Sequence, residues 1–319
     1  MIKTVICDIL DIKYPVIQGG MAWIADHRLA AAVSNAGGLG IIAAANAPAT
    51  YVRQEIEAIR RLTDKPFGVN VMLMSPYADE VASLVAECHV PVVTTGAGNP
   101  EKYFPMWKAA GIKLLPVVAS VGYAVRLEAK GADAVICEGT EAGGHIGELT
   151  TMAMVPQVKD AIDIPVIAAG GIADGRGMAA AFALGAEGVQ MGTAFLAATE
   201  CPAHEEYKKK IIKARAIDSV VTGRCTGHPV RSVRNPMTRA YLNMEKEYYK
   251  SPEDMAERME DLAAGSLRKA AVEGDVTNGS VMAGQIVGLV DRIRPCADII
   301  SETVHQAEEI IRGLYRTYQ

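Results

Sequence analysis

The chain has 319 residues, half of them hydrophobic, 22% charged and only 17 aromatic, with a net charge of −5. That is the composition of a globular protein long enough for one barrel-sized domain. The negative balance and scarce aromatics give nucleic acid neither a global attraction nor an obvious stacking surface. Asp8, Asp11 and Lys13 interrupt any apolar leader, and the charge-free run from Arg28 to Arg53 is broken by Ser34, Asn35, Gly37, Gly38, Asn46 and Pro48, so neither a signal peptide nor a membrane span is expected. The six cysteines form no CxxC pair, which disfavours a zinc site or disulfide framework and makes a reducing cytoplasm the expected location.

In chain order, short apolar runs at 15–19, 39–43, 67–72, 91–95, 112–118, 133–137, 165–169 and 187–191 predict eight strands. They are apolar throughout rather than alternating, the texture of strands buried on both faces. Helical patterns fall between them at 26–36, 50–63, 76–88, 101–110, 121–130, 155–161 and 175–184. Within 50–63, Val52, Ile56, Ile59 and Leu62 share one face. The joints AAGIKLL, AKGADAV and ALGAEGV read as helix, glycine cap, strand. Eight evenly spaced strands with helices between them predict a (β/α)8 TIM barrel, with a doubly wound sheet as the alternative; no GxGxxG opens a helix after the first strand, so a dinucleotide-binding Rossmann domain has no support.

Past residue 195 the texture changes. We expect 196–277 to be a helical insertion over the barrel mouth, with 1–195 and 278–319 forming the barrel and a closing helix at 298–317. Residues 201–250 carry 11 Lys and Arg against 5 Asp and Glu, so this segment is a basic stretch of an acidic chain. That charge is read either as a solvated face or as a dock for an acidic partner or a cofactor phosphate, with Arg224, Arg231, Arg234 and Arg239 the expected contacts, any of which could instead brace the loop.

A barrel of this kind places its active site at the C-terminal strand ends. Those ends read Gln18-Gly19-Gly20-Met21, Ala44-Ala45-Asn46, Asn70, Thr95 to Gly98, Glu138 to Glu148, Ala169 to Ile172 and Met191-Gly192-Thr193. Small and uncharged residues dominate, which suits a flat ring lying close to backbone. Gly170 and Gly171 after the seventh strand, with Gly192 and Thr193 after the eighth, resemble a shared phosphate clamp. His145, behind two glycines in EGTEAGGHIGE, is expected to face a ligand, and 139–147 is a candidate lid. Asn70 either meets a ring edge or serves neighbouring backbone.

Together PVIQGGMAWI, SNAGGLGII, FGVNVML, EGTEAGGHIGE, PVIAAGGIADGRG, GVQMGTAFLAATECPAH and NGSVMAGQIVG resemble the flavin-dependent nitronate monooxygenase/enoyl reductase II superfamily over essentially the whole chain. Within it, Glu138, GHPVRSVRN and GQIVG look more like the bacterial enoyl-[acyl-carrier-protein] reductases II. The resemblance implies an FMN-bound barrel that uses NADH or NADPH to reduce the 2,3-double bond of an enoyl thioester, with acyl carrier protein as partner and a homodimeric assembly. Some relatives take a monovalent cation; the sequence locates no site for it. By position, Gly19, Gly20, Met21, Asn46, Asn70, Glu138 and Gly143 would contact the cofactor, Gly170, Gly171, Gln190, Met191, Gly192 and Thr193 would hold its phosphate end, and Met282, Ala283, Gly284 and Gln285 would close over it. His145 matches the active-site histidine, and Ser280 or a backbone N–H could share its role. The competing readings are a nitronate monooxygenase that oxidises nitroalkanes with oxygen, a flavin-free phosphate-binding barrel, and a non-catalytic flavin-binding module.

Overall fold

The computed structural model describes residues 2–317. Helix α1 (Val5–Leu10) comes first, and its Ile6 and Leu10 join Ile17, Leu39, Leu115, Ile136 and Ile167 in one buried cluster. The helix therefore plugs the N-terminal end of a barrel that the sequence reading left open.

The barrel strands are β1 (Val16–Gln18), β2 (Gly40–Ala43), β3 (Phe67–Met72), β4 (Val92–Gly96), β5 (Lys113–Val118), β6 (Val135–Glu138), β8 (Val166–Ala169) and β9 (Gly188–Met191). They form one eight-stranded sheet in the order β1-β9-β8-β6-β5-β4-β3-β2, and the named pairs are parallel. Gln18 N–H donates to the Leu39 carbonyl at 3.0 Å and Leu39 N–H to Val16 at 2.9 Å, which closes the ring between β1 and β2. The buried Gln18 side chain adds a two-way bond to the Ile41 backbone, at 3.1 and 3.2 Å. This is the expected TIM barrel.

Helices α2 (His27–Asn35), α3 (Ala49–Leu62), α4 (Ala78–Glu87), α5 (Phe104–Ala109), α6 (Val121–Ala129), α7 (Thr151–Lys159) and α8 (Gly175–Ala183) surround it. Asp26 caps α2 by accepting from Arg28 and Leu29, and Asp174 caps α8 by accepting from Arg176. The expected 101–110 helix begins instead as a 3-10 turn, Glu101–Tyr103, and α7 starts four residues earlier than its pattern suggested. The closing helix α14 (Cys296–Thr317) packs on α8 and α2. Among the described residues no helix is long and apolar enough to cross a membrane, and the six cysteines are free.

The insertion differs from expectation in two ways. Its first residue, Leu196, ends α9 (Thr193–Leu196) and is buried in the barrel core beside Phe195. Nor is it wholly helical: α10 (Glu205–Ile212), α11 (Pro236–Tyr248), α12 (Pro252–Ala263) and α13 (Ser266–Ala271) are joined by an antiparallel hairpin, β10 (Ser219–Thr222) and β11 (Val230–Val233). β11 also pairs with a two-residue strand in the barrel's β6–α7 loop, β7 (Gly144–His145). Met237, Tyr241, Met255 and Met259 give α11 and α12 a small core of their own.

Candidate active site

A cavity of about 320 Å³ opens at the C-terminal ends of the strands. Gly19, Gly20, Met21, Asn70, Glu138, Gly143, His145, Gly170, Gly171, Gln190, Gly192, Thr193, Met282, Ala283 and Gly284 all line it. Three expected residues stand off its wall. Ala45, in the left-handed region at φ +48°, turns the chain so that Asn46 faces solvent. Met191 follows the inward Gln190 on β9 and so points outward into the core. Gln285 is exposed, and only its backbone N–H serves the region, donating to the Glu141 carbonyl at 2.9 Å.

At one end of the cavity Asn70 donates to the Thr94 hydroxyl at 3.0 Å. Gly20 packs so closely on it that an added Cβ would fall 2.5 Å from the Asn70 Cβ. A flat group can therefore approach backbone here. At the other end, Gly170 and Gly171 lie at φ +89° and +76°, the left-handed region that suits glycine. Among the described residues the N–H groups of Gly171 and Thr193 have no hydrogen-bond partner. The Thr193 hydroxyl accepts from Gly284 N–H at 2.8 Å, which ties the returning segment to the end of β9 and leaves the hydroxyl proton free to donate. Two free amides and a hydroxyl make an anion cradle without a cation.

The β6–α7 loop is stitched down rather than hinged like a lid. The Glu141 carboxylate accepts from Thr151 N–H at 2.9 Å and from its hydroxyl at 3.0 Å, and that hydroxyl also reaches the Ala169 and Gly170 carbonyls. Ile146 N–H donates to Pro229 at 3.1 Å. Of the four arginines Arg231 is the one that braces the loop rather than meeting a partner: it is buried, its Nε donating to the Thr140 carbonyl and a terminal nitrogen to the Ser219 hydroxyl, each at 3.1 Å. Arg224 pairs with Glu148 at 2.8 Å in solvent, and Arg234 and Arg239 are exposed. Ser280 is buried against Ser232 at 3.1 Å and does not line the cavity.

His145 lines the mouth of the cavity and is exposed to solvent on its outer side. Burial, then the nearby His228, lowers its pKa, so the ring is neutral at pH 7. Glu138 ends β6 at the cavity wall, and burial alone raises its carboxyl to about 7. Tyr207 of α10 donates to the Met282 carbonyl at 2.8 Å, fixing the segment that roofs the cavity. Sequence reasoning missed Glu141 as an anchor, although it lies inside a quoted motif. It also missed Tyr207, Leu196, Leu267 and Ile286, whose apolar character gave no signal that they would reach a cavity. Among the described residues no group of three or more His, Cys, Asp or Glu could hold a metal.

The nitronate monooxygenase family model matches residues 3–83 and 76–306. The chain belongs to this family. One whole-chain likeness is to the solved structure of FabK from Thermotoga maritima: 50% identity, TM-score 0.95, all of both chains covered. A probable nitronate monooxygenase of Staphylococcus saprophyticus is 37% identical over 97% of this chain and 99% of its own. A (3aS,4S,5R,7aS)-5-hydroxy-7a-methyl-1-oxo-octahydro-1H-indene-4-carboxyl-CoA dehydrogenase of Rhodococcus jostii is 34% identical over 98% of each. The chain is thus an oxidoreductase of the nitronate monooxygenase/FabK superfamily, whose members are flavoproteins.

Proposed function

We propose that this protein is an FMN-dependent reductase of 2-enoyl thioesters presented by acyl carrier protein, with NADH or NADPH as electron donor. The observation that carries this reading is the whole-chain likeness to FabK at 50% identity. The site fits the cofactor. The Gly171 and Thr193 amides, with Gly192 beside them, would take its phosphate; Gly20 and Asn70 would face its ring; Met282 and Ala283 would cover it. When bound, FMN would supply the redox chemistry, taking hydride from the nicotinamide and giving it to the β-carbon of the enoyl thioester.

The side chains supply what hydride transfer leaves undone. Negative charge develops on the thioester oxygen and the α-carbon needs a proton. His145 would serve both, as a neutral imidazole that donates an N–H and relays a proton from solvent at the cavity mouth. Hairpin β10–β11 fixes the backbone on which His145 rides. The exposed Arg224, Arg234 and Arg239 support docking of an acidic carrier on the insertion.

The names of curated relatives favour a second reading, a nitronate monooxygenase in which His145 takes a proton from a nitroalkane. Steady-state assays separate the two. The reductase reading expects anaerobic NAD(P)H turnover with a 2-enoyl thioester; turnover that needs oxygen and a nitroalkane supports the other.

A further inference from the structure

We propose that Glu138 is a proton-linked contact of the cofactor: its carboxyl enters the flavin complex as the neutral acid, so filling the site takes up one proton in mildly alkaline solution. This rests on the flavin reading above and adds a property that reading does not require.

Glu138 is the last residue of β6, and its side chain meets the cavity. Neither of its oxygens has a hydrogen-bond partner among the described residues, and no Lys or Arg lines the cavity. The flanking strands bring Val117 from β5 and Ala169 from β8. Behind β6, α7 brings apolar core and Thr151, whose donors go to Glu141 and to backbone carbonyls. The other titratable groups on the wall give Glu138 no cation. Glu141 is held by Thr151, Tyr207 donates to the Met282 carbonyl, and His145 is kept neutral by burial and His228.

In the protein alone this carboxyl titrates near neutrality because it is buried without compensation. A flat ring seated against it removes the remaining water, and a phosphate in the same cavity adds negative charge. Both favour the acid form further. The ring's carbonyl and imine atoms are acceptors, which a carboxylate repels and a carboxylic acid can satisfy by donating. At pH 8.5 the protein alone therefore holds mostly carboxylate, the complex holds the acid, and the proton comes from solvent. No bond other than O–H forms.

The test is calorimetric titration of FMN into the apoprotein at pH 8.5 in two buffers of different ionisation enthalpy. FMN's phosphate, with a second pKa of about 6, is already dianionic there. We expect close to one proton taken up by wild type and by His145→Ala, and none by Glu138→Gln. Apparent affinity of wild type falls up to about tenfold per pH unit between 7.5 and 9, and that of Glu138→Gln stays level. No uptake by wild type, equal uptake by Glu138→Gln, or uptake lost in His145→Ala instead overturns the proposal. If Glu138→Gln does not fold, Glu138→Ala takes its place in the same titration, with the same outcomes expected. Failure of FMN to bind wild type at all is a different result, which removes the cofactor reading itself.

Discussion

Val230 of the insertion hairpin pairs in register with His145 of the barrel's β6–α7 loop. The residue at the mouth of the site is therefore held by a segment some 85 positions later in the chain. Arg231, next to Val230, reinforces the joint through the Thr140 carbonyl and the Ser219 hydroxyl. Arg231→Ala leaves both groups without that donor at a partly buried place. We expect a loss of about 1–3 kcal/mol in stability and faster amide exchange across 140–147, with FMN retained. Exchange unchanged in that loop would show that the hairpin alone holds it.

Gly20 and Asn70 leave no room for a methyl group between them. Gly20→Ala would bring its Cβ within 2.5 Å of the Asn70 Cβ and 2.7 Å of its Cγ, forcing Asn70 off Thr94. We expect FMN affinity to drop at least about tenfold, and Asn70→Gly in the same chain, which removes both clashing atoms, to recover part of the loss, since the two changes share one contact. Strictly additive losses in the double variant would place the two residues' effects apart.

His145 should matter to one half-reaction and not the other. His145→Ala keeps FMN and accepts hydride from NAD(P)H at close to the wild-type rate, while enoyl reduction slows by about 10²–10⁴. Because burial and His228 hold the His145 pKa down, its protonated form is confined to acid pH. His228→Ala removes the repulsion, so the histidine arm of the enoyl half-reaction moves to higher pH. Rapid-mixing kinetics across pH checks both; equal slowing of the two half-reactions contradicts the role.

At Gly171 the backbone sits at φ +76° and faces Glu141 at 3.4 Å from where a Cβ would stand. Gly171→Ala adds strain only, about 1–2 kcal/mol. Gly171→Asp also puts a carboxylate into the proposed phosphate cradle. The alanine variant should purify yellow and the aspartate variant colourless, read from the flavin absorbance band. A fully loaded aspartate variant would move the phosphate elsewhere.

Much of this was legible in the sequence. The eight apolar runs and the glycine-capped joints give a barrel because strands buried on both faces cannot alternate. Gly170-Gly171 after β8 and Gly192-Thr193 after β9 meet at the cavity wall, because local spacing past two neighbouring strands carries that information. What was not legible depends on distant partners or on the phase of a turn. β7 is two residues long and exists only through its pairing with Val230 and Arg231. α1 is a helix too short to show a period, defined by the barrel bottom it fills. Asn46 and Met191 were placed one residue out of phase, by a left-handed turn at Ala45 and by strand alternation after Gln190. Arg231 looked like its exposed neighbours Arg224 and Arg234, and only the fold shows that it points inward.

The central claim is tested most directly by an anaerobic half-reaction on the purified protein. The flavin is bleached with NAD(P)H, a 2-enoyl thioester is added without oxygen, and the visible band is followed. The reductase account expects the band to return at once, with one saturated thioester formed per flavin. A band that stays bleached until air or a nitroalkane is admitted contradicts it and places the protein with the monooxygenases.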